Sequence, residues 1–442
     1  MEITPFAGYR YNSSKIAALD DVTAPPYDVI GEAFQDELFA KHPNNTVRLI
    51  LERMYPDDNE VNNRYSRTAK TLADWKQNEI IVQESKPAIY VYHQIYESGG
   101  SRYVRKGFMC GCRAVPFGYG MVYPHEITMS GPKLDRLMLT TACKMNFSQI
   151  FGLYPDEENA VQSLLEKALV AGKYTDSVTA TDHLGVVHQM WVVEDEETIK
   201  SVVTAMAPKP IFIADGHHRY ETACNYRKQI DDMGLLNSTH PANDVLMVCI
   251  AMEDPGLIVM PTHRLFHGVT KLTSGVPELT GKELQTKLGN CFRTEIVGSG
   301  ADGAHQVWQR IERENRQDAI GLYTAKDKKW LLTTITQEGK HRMDEIDREH
   351  HPEWRELGVS LLHRLIIETL LGAAEPPKID YVHLVDEVAA GLHTGNYPLA
   401  ALVMPATVAH IKTLSLLGDR MPAKSTYFYP KLIAGFVFKP LE

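Results

Sequence analysis

The residues of this sequence best suited to chemistry lie together in the run Asp-Gly-His-His-Arg, from Asp215 to Arg219. An apolar run precedes it and a helical pattern follows, which predicts strand, turn and helix over residues 206–230. Gly216 allows a tight turn, and the first amide groups of a helix lack intrahelical acceptors. Together with two histidines and Arg219, these amides are typical of a phosphate or carboxylate site, which we expect to line an open pocket. The alternative is a closed core, in which Asp215 caps the helix and the histidines pair with backbone carbonyls.

Other segments place polar side chains near the predicted ends of elements. Each also has a structural interpretation: a surface carboxylate, a salt-bridged face, a capping turn or a satisfied hydrogen-bond network. One binding site explains several such groups more simply than separate causes do, so we expect them to border the cleft that contains Arg219. These segments are Tyr27-Asp28, residues 123–128, residues 131–137, residues 261–264 and residues 421–431.

Composition narrows the class of protein. The 442 residues carry a formal net charge of −10, and the basic residues are scattered, which argues against a surface that binds nucleic acid. The N-terminal sequence has no charged region followed by an apolar one, and charged residues interrupt the apolar stretch around 361–371. We expect a cytoplasmic protein that binds neither nucleic acid nor membrane. The oligomeric state is left open by the sequence.

Six cysteines are too few for a disulfide scaffold, and only Cys110 and Cys112 lie close together. On a strand these two face the same side, where they could bind a metal, although two small core residues are the more common case. No second pair of cysteines or histidines has zinc-finger spacing. We therefore expect reduced, buried thiols and no structural zinc.

The order of the predicted elements is typical of a mixed α/β (α+β) protein. We predict two domains: a core over residues 1–272 with a large insertion at about 42–205, which resembles ParB proteins through the run from Asp215 to Arg219, and a C-terminal α/β domain over residues 273–442 that contributes residues 421–431 to the site. The individual predictions include a hairpin of strands 88–96 and 102–114 joined by Gly99-Gly100, helices 31–41, 62–79, 281–289 and 304–315, strands 319–324 and 329–336, an amphipathic helix 353–371, and a helix 405–416 that begins on Pro405.

Five segments in this order resemble domain-of-unknown-function family 1015, a group of uncharacterised bacterial and archaeal proteins. They are APPYDVI at 24–30, PHEITMSGPKLDRL at 124–137, IADGHHRYETA at 213–223, PTHRL at 261–265 and MPAKSTYFYPK at 421–431. This resemblance covers nearly the whole chain and implies no known activity. The run from Asp215 to Arg219 also resembles the phosphate-binding signature of the ParB/sulfiredoxin superfamily, most of all that of its free-serine kinases.

The local resemblance implies transfer of a phosphate from ATP or ADP, with magnesium, to the hydroxyl of free serine or a similar metabolite. We assign Asp215 to magnesium or to orienting a histidine, with Glu126 as the first candidate for the catalytic base and Asp28 as the second. The residues expected to bind phosphate or nucleotide are Gly216, His217, His218, Arg219, Lys133, Lys424, Ser425 and Thr426. The residues expected to line the cleft are His125, Arg136, His263 and Arg264.

Three functional classes are compatible with these residues. A kinase needs a base and an acceptor pocket besides the phosphate turn, and a nucleotide sensor without catalysis needs only the turn and a movable surface. A phosphoester hydrolase needs more metal ligands than Asp215 and two histidines supply. The polar clusters at 124–136 and 421–431 favour the kinase. Its expected partners are a nucleotide and a small-molecule substrate.

Overall fold

In the computed structural model, residues 1–126, 130–268, 278–373 and 378–442 are described. They form two compact units. The N-terminal unit comprises Met1–Pro124, the described residues from Ser130 to Ile258, and Pro430–Glu442. The C-terminal unit comprises His125, Glu126 and the described residues between Val259 and Tyr429. The predicted domain boundary at residue 272 lies outside the described residues and stays a prediction.

The bounds of the secondary structure in the described residues are as follows. The strands are β1 (Ile3–Thr4), β2 (Tyr9–Tyr11), β3 (Ile81–Gln83), β4 (Ile89–Ser98), β5 (Ser101–Arg113), β6 (Val122–Tyr123), β7 (Met145–Asn146), β8 (Ile150–Tyr154), β9 (Asp176–Thr181), β10 (Val187–Val193), β11 (Ile211–Asp215), β12 (Asp244–Ala251), β13 (Ile258–Met260), β14 (His263–Phe266), β15 (Phe292–Ser299), β16 (Ala319–Thr324), β17 (Lys329–Ile335), β18 (Ile379–Val382), β19 (Leu399–Leu402), β20 (Tyr427–Tyr429) and β21 (Lys439–Pro440). The α-helices are α1 (Glu32–Lys41), α2 (Val47–Ile50), α3 (Arg64–Gln77), α4 (Ser130–Cys143), α5 (Ala160–Val170), α6 (Glu196–Met206), α7 (His217–Asp232), α8 (Gly281–Leu288), α9 (Gly303–Glu314), α10 (Gln337–Ile346), α11 (Pro352–Arg355), α12 (Gly358–Ser360), α13 (Val385–His393) and α14 (Val408–Leu416). Short 3₁₀ helices span Leu19–Asp21, Tyr27–Val29, Pro241–Asn243 and Gly289–Cys291, and Leu361–Leu370 is a π-helix.

A mixed sheet forms the centre of the N-terminal unit. Its strand order is β6-β11-β8-β12-β5-β4-β10-β9, and β1 pairs with the end of β5. Strand β11 runs parallel to β6 and antiparallel to β8, and β8 runs parallel to β12. The β4–β5 hairpin turns through Gly99 and Gly100, both at positive φ, as a two-residue hairpin turn requires. The predicted hairpin and the mixed α/β class are confirmed.

Two large hydrophobic cores among the described residues support this unit. One face of strands β5, β8, β11 and β12 packs against buried side chains of α5, α6 and α7, among them Leu165, Met206 and Tyr220. A second core joins α1, α2, α3 and the end of α4 to the C-terminal segment, through Phe438. Helix α7 therefore begins at a sheet that is covered on this face, and burial of its apolar side fixes its start.

The C-terminal unit contains an antiparallel sheet of strand order β15-β17-β16-β19-β14-β18. Helices α9 and α13 pack on it through Val307, Ile311, Val388 and Leu392. Strands β13 and β20 form a separate pair. The predicted second α/β unit thus has helices and strands in the expected order.

Two helix predictions in this unit are wrong in detail. The segment predicted as one helix over 353–371 is divided into α11, α12 and a π-helix, because Leu357 is extended and Gly358 lies against the backbone of Gln317. The helix predicted to begin on Pro405 begins at Val408, because the Thr407 side chain caps it. Amphipathic spacing identifies the buried face of such a segment and does not fix its hydrogen-bond register.

Among the described residues, no helix combines the length and apolar character that crossing a membrane requires.

The start of α14 gives a test of stability. Thr407→Ala should lower the free energy of unfolding by about 1 kcal/mol, because the Thr407 hydroxyl accepts from the His410 amide, 3.2 Å away. Thr413→Ala, at an exposed position in the same helix, is the control and should change it by at most about 0.5 kcal/mol. Urea unfolding followed by circular dichroism measures both, and equal losses would contradict a helix start at Val408.

Candidate active site

The run from Asp215 to Arg219 forms the junction between β11 and α7. Strand β11 ends at Asp215, Gly216 has a φ of 96°, and α7 begins at His217. The predicted strand, turn and helix are confirmed. His217 is buried, whereas Asp215, Gly216, His218 and Arg219 are partly exposed. Four of the five residues of the turn are therefore partly exposed to solvent.

Arg219 folds back over this turn. Its Nη2 donates to Asp215 Oδ2 at 2.8 Å, and its Nη1 donates to the carbonyl of Gln149 at 2.5 Å and to Ser148 Oγ at 3.3 Å. Within the described residues no acceptor takes the Nε hydrogen. A Cβ atom on Gly216 would lie 2.9 Å from Nη2 of Arg219. Glycine is thus required here both by the positive φ and by the guanidinium lying against its Cα.

Asp215 is paired with two cations. Lys431 Nζ donates to its Oδ1 at 2.8 Å, and Arg219 donates to its Oδ2. Burial by itself would raise the pKa of Asp215, but Lys431 and Arg219 hold that pKa well below its usual range. The carboxylate therefore stays ionised and fixes both cations at the turn.

Lys431 itself is positioned by a buried arginine. Arg105 donates to the carbonyl of Pro430 and to Gln94 Oε1, and Gln94 Nε2 donates to the carbonyl of Lys431 at 3.0 Å. The Phe151 ring packs against the Arg105 guanidinium, 4.8 Å from its centroid. Sequence reasoning chose Lys424 from the 421–431 segment and missed Lys431. The signal was a second lysine in that segment, next to the proline that ends the aromatic strand.

Asp28 and Arg136 lie in the same unit, around Tyr27. Arg136 is buried, its guanidinium lies 4.1 Å from the Tyr27 ring centroid, and it pairs with the neighbouring Asp135. Burial raises the pKa of Tyr27, and the charges of Arg219 and Arg136 oppose that rise. Asp28 is exposed, and its negative charge raises the pKa of the Tyr27 phenol. Tyr27 therefore lies within electrostatic range of Arg219, Arg136 and Asp28.

Lys133 reaches the second turn of α7. Its Nζ lies 3.3 Å from Glu221 Oε2, and its carbonyl accepts from the Thr222 hydroxyl at 3.4 Å. A cavity of about 40 Å³ lies beside the start of α7 and is lined by Arg219, Arg136 and Thr222 among others. Such a volume holds water rather than a nucleotide. The N-terminal unit thus brings Asp28, Lys133 and Arg136 towards the Asp215–Arg219 turn.

The remaining predicted site residues belong to the C-terminal unit. His125 Nε2 and Thr426 Oγ1 are 2.9 Å apart, and Glu126 pairs as an isolated bridge with Met421. Residues 127–129 of this motif lie outside the described residues. Ser425 is buried and donates to the carbonyl of Pro422, and Lys424 is exposed with a φ of 60°.

Arg264 and His263 are fully buried in the same unit. Arg264 donates to the carbonyl of Thr262 and, at 3.0 Å, to that of Lys424. Neither ring nitrogen of His263 has a hydrogen-bond partner in the described part of the chain, and its ring packs edge-on against Trp308. Burial lowers the pKa of His263 to about 3, and the charges of Arg264 and His383 act in the same direction. The imidazole is therefore neutral at physiological pH.

The contacts of Asp215 show whether its carboxylate could bind a magnesium ion. Each carboxylate oxygen accepts from a cationic donor at 2.8 Å, and both donors would repel Mg²⁺. Asp215 does not fit a metal ligand in this arrangement. Its contacts instead suit the positioning of Arg219 and Lys431, and the assignment to magnesium stays a sequence-based prediction.

A protein-family model matches most of this chain. Residues 3–360 match the family described as "Protein of unknown function (DUF1015)". None of the curated proteins matches the sequence. Among solved structures, a free serine kinase in complex with AMP aligns with 11% identity over 70% of this chain and 83% of that chain, at a TM-score of 0.31. A conserved hypothetical protein from Pyrococcus furiosus aligns with 12% identity over 71% and 89%, and C-terminally truncated SbnI from Staphylococcus aureus with 9% identity over 75% and 87%, both at a TM-score of 0.31.

Gly216→Ala tests the geometry of the turn. We expect it to lower the free energy of unfolding by about 2 kcal/mol or more, because it adds left-handed backbone strain and displaces the Arg219 guanidinium. Gly234→Ala is the matched control: it has a φ of 70° just beyond the other end of α7, with open space around its Cβ. The control should lose only the strain term, about 1 kcal/mol. Equal losses in denaturant unfolding would show that Arg219 does not lie against Gly216.

His263 gives a prediction for pH. Its folded-state pKa of about 3 lies below the ordinary 6.5, so the unfolded state binds more protons between these values. The stability contribution is fully present above pH 6.5 and falls as the pH is lowered, by up to about 1.4 kcal/mol per pH unit.

His263→Phe should therefore reduce the loss of stability between pH 6.5 and 5, measured by urea unfolding at each pH. Thr413→Ala, which changes an exposed residue and removes no titratable group, should leave the pH dependence unchanged. An unchanged slope in the His263 variant would contradict a buried neutral imidazole.

Proposed function

We propose a function for this chain, which belongs to the DUF1015 family of proteins of unknown function, since that match covers most of its length. The proposed function is nucleotide-dependent phosphorylation of a small hydroxyl compound, with ATP or ADP as the phosphate donor. Free serine or a close analogue is the proposed acceptor. The site is the turn from Asp215 to Arg219.

The observation that carries this proposal is the position of Arg219 at the start of α7. Its guanidinium lies against Gly216, where the first amides of the helix point outward and the helix dipole is positive. Three of its hydrogen bonds go to protein acceptors, which fix the plane of the guanidinium. A fixed guanidinium beside helix-start amides supports recognition of phosphate oxygens, because little side-chain entropy remains to be lost on binding.

Other cations support the same role. Lys431 is held beside Arg219 by Asp215, and Lys133 is held one turn further along α7 by Glu221. His217 and His218 occupy the first two helical positions. Phosphoryl transfer depends mainly on positioning and on stabilising negative charge, so fixed cations around one turn suit that chemistry.

Two carboxylates are proposed as the catalytic base. Asp28 is exposed, and its charge acts on Tyr27 together with that of Arg219, which supports Asp28 as the base. Glu126, in the C-terminal unit next to His125, is the second proposed base. A base must come within hydrogen-bond reach of the acceptor hydroxyl, and substitution of each carboxylate separates the two.

Magnesium enters the proposal as the ion that accompanies the nucleotide phosphates and reduces their negative charge. The residues of the chain do the rest: Arg219 and the helix start bind the phosphates, and Asp215 keeps Arg219 and Lys431 in place.

A nucleotide sensor is the second candidate, and one contact favours it. Asp215 accepts hydrogen bonds from Arg219 and Lys431, the two cations that a phosphate would bind. A bound phosphate would therefore compete with Asp215 and weaken its pairing with Lys431. In the described part of the chain, the group of three metal-ligating side chains within mutual reach is formed by cysteines away from this turn. The geometry therefore supports the kinase and the sensor over the phosphoester hydrolase.

Arg219→Ala tests the phosphate site. We expect it to weaken ATP and ADP binding in calorimetry and to lower the rate of phosphate transfer by about two orders of magnitude, because a charge-assisted donor is lost where negative charge is held. Arg227→Ala is the control: Arg227 lies two turns further along α7 and contacts Asn243. It should bind nucleotide as the unmodified protein does. Undiminished binding in the Arg219 variant would refute the proposed site.

Asp28→Asn and Glu126→Gln test the base. The variant that loses the base should keep its nucleotide affinity and lose turnover, since a base acts on the transition state and contributes little to ground-state binding. Phosphoserine formed from serine with ATP or ADP, detected by mass spectrometry, measures turnover. Tight nucleotide binding without turnover of any hydroxyl compound would support the sensor, and no nucleotide binding would refute both functions.

A further inference from the structure

Three cysteines meet in the core of the N-terminal unit, on strands β5 and β12 and not on strand β11, which ends at the proposed nucleotide turn. The sulfur of Cys110 lies 3.8 Å from that of Cys112, and Cys249 lies 3.9 Å from each of them. All three side chains are fully buried. In the sequence only Cys110 and Cys112 lie close together. The third thiol belongs to Cys249, which lies 137 positions beyond Cys112.

Strand pairing explains why the three side chains converge. Cys110 and Cys112 lie two residues apart on β5 and therefore on one face of the sheet. Strand β12 pairs with β5 so that Met247 is opposite Cys110, and Cys249, two residues on, lies on the same face. This face packs against α5, α6 and α7, so the thiols lie in a rigid and apolar environment. The hydrogen-bond ladder of both strands holds the triangle of sulfurs in place.

The size of this triangle matches a metal–thiolate site. A point equidistant from three sulfurs that are 3.8, 3.9 and 3.9 Å apart lies about 2.2 Å from each, close to the ~2.3 Å typical of metal–thiolate bonds. Thiolates select soft ions such as Cu(I) and Zn²⁺. Among the described residues no fourth His, Cys, Asp or Glu joins the group. Structural zinc takes four ligands, so three sulfurs suit a three-coordinate ion better.

We propose that Cys110, Cys112 and Cys249 bind one Cu(I) ion in a three-sulfur site inside the N-terminal unit. Binding forms three copper–sulfur bonds and releases the thiol protons to solvent, without any change in oxidation state. The site is distinct from the nucleotide turn and does not depend on the function proposed for it.

Anaerobic titration of the reduced full-length protein with Cu(I), in competition with a chromogenic Cu(I) chelator, tests this site. We expect one ion per chain, a rise in the unfolding temperature on binding, and X-ray absorption that reports three sulfurs at about 2.2 to 2.3 Å. Each of Cys110→Ala, Cys112→Ala and Cys249→Ala should lower the affinity at least a hundredfold.

The matched control replaces the other three cysteines, Cys143, Cys224 and Cys291, by alanine together. This variant should bind one Cu(I) with unchanged affinity, because its only thiols are those of the cluster. Loss of binding in the control, unchanged binding in Cys249→Ala, or a four-ligand zinc site in place of Cu(I) would overturn the proposal. If a cluster variant fails to fold, X-ray absorption of the unmodified protein decides, and a spectrum without three sulfur neighbours refutes the site.

Discussion

The candidate site depends on one carboxylate. Asp215 ends strand β11, accepts from Arg219 one turn into α7, and accepts from Lys431 in the C-terminal segment. A partly buried charge with partners on two sides is stable only while both remain, because removal of one leaves the others desolvated and uncompensated. A strand, a helix start and a distant segment are thereby fixed at one point. The position of the Arg219 guanidinium is therefore fixed by its pairing with Asp215 more than by the backbone conformation of the turn.

The constraint is transmitted further by Arg105, a fully buried arginine of strand β5. Its donors go to Gln94 and to the Pro430 carbonyl, and Gln94 in turn binds the Lys431 carbonyl. Burial lowers the pKa of Arg105 to about 10, which still leaves it charged at neutral pH. Burial of a guanidinium costs free energy unless its N–H groups are hydrogen-bonded, and those of Arg105 donate to carbonyl oxygens. The sheet therefore fixes the backbone of Lys431, and Asp215 fixes its ammonium group.

The sequence predicts those parts of the site that depend on neighbours along the chain. The β11–α7 junction and the Gly99-Gly100 hairpin follow from local patterns of apolar residues and glycines. The pairing of Asp215 with Lys431 spans 216 positions, and no local pattern specifies which of two lysines in the 421–431 segment makes it. The same limit applies to Cys249, which the pairing of β12 with β5 brings to Cys110. Helix starts are missed for a different reason, since one capping side chain such as Thr407 overrides apolar spacing.

Each unit contains a buried arginine that donates to the backbone of the 421–431 segment. In the C-terminal unit Arg264 donates to the carbonyls of Thr262 and Lys424, and the Lys424 side chain is exposed at a left-handed backbone position. In the N-terminal unit Arg105 does the same for Pro430. In both cases the arginine donates to a backbone carbonyl of the 421–431 segment. The polar residues of that segment therefore include some that shape the chain, such as Ser425, and one, Lys431, whose charge reaches the turn at Asp215.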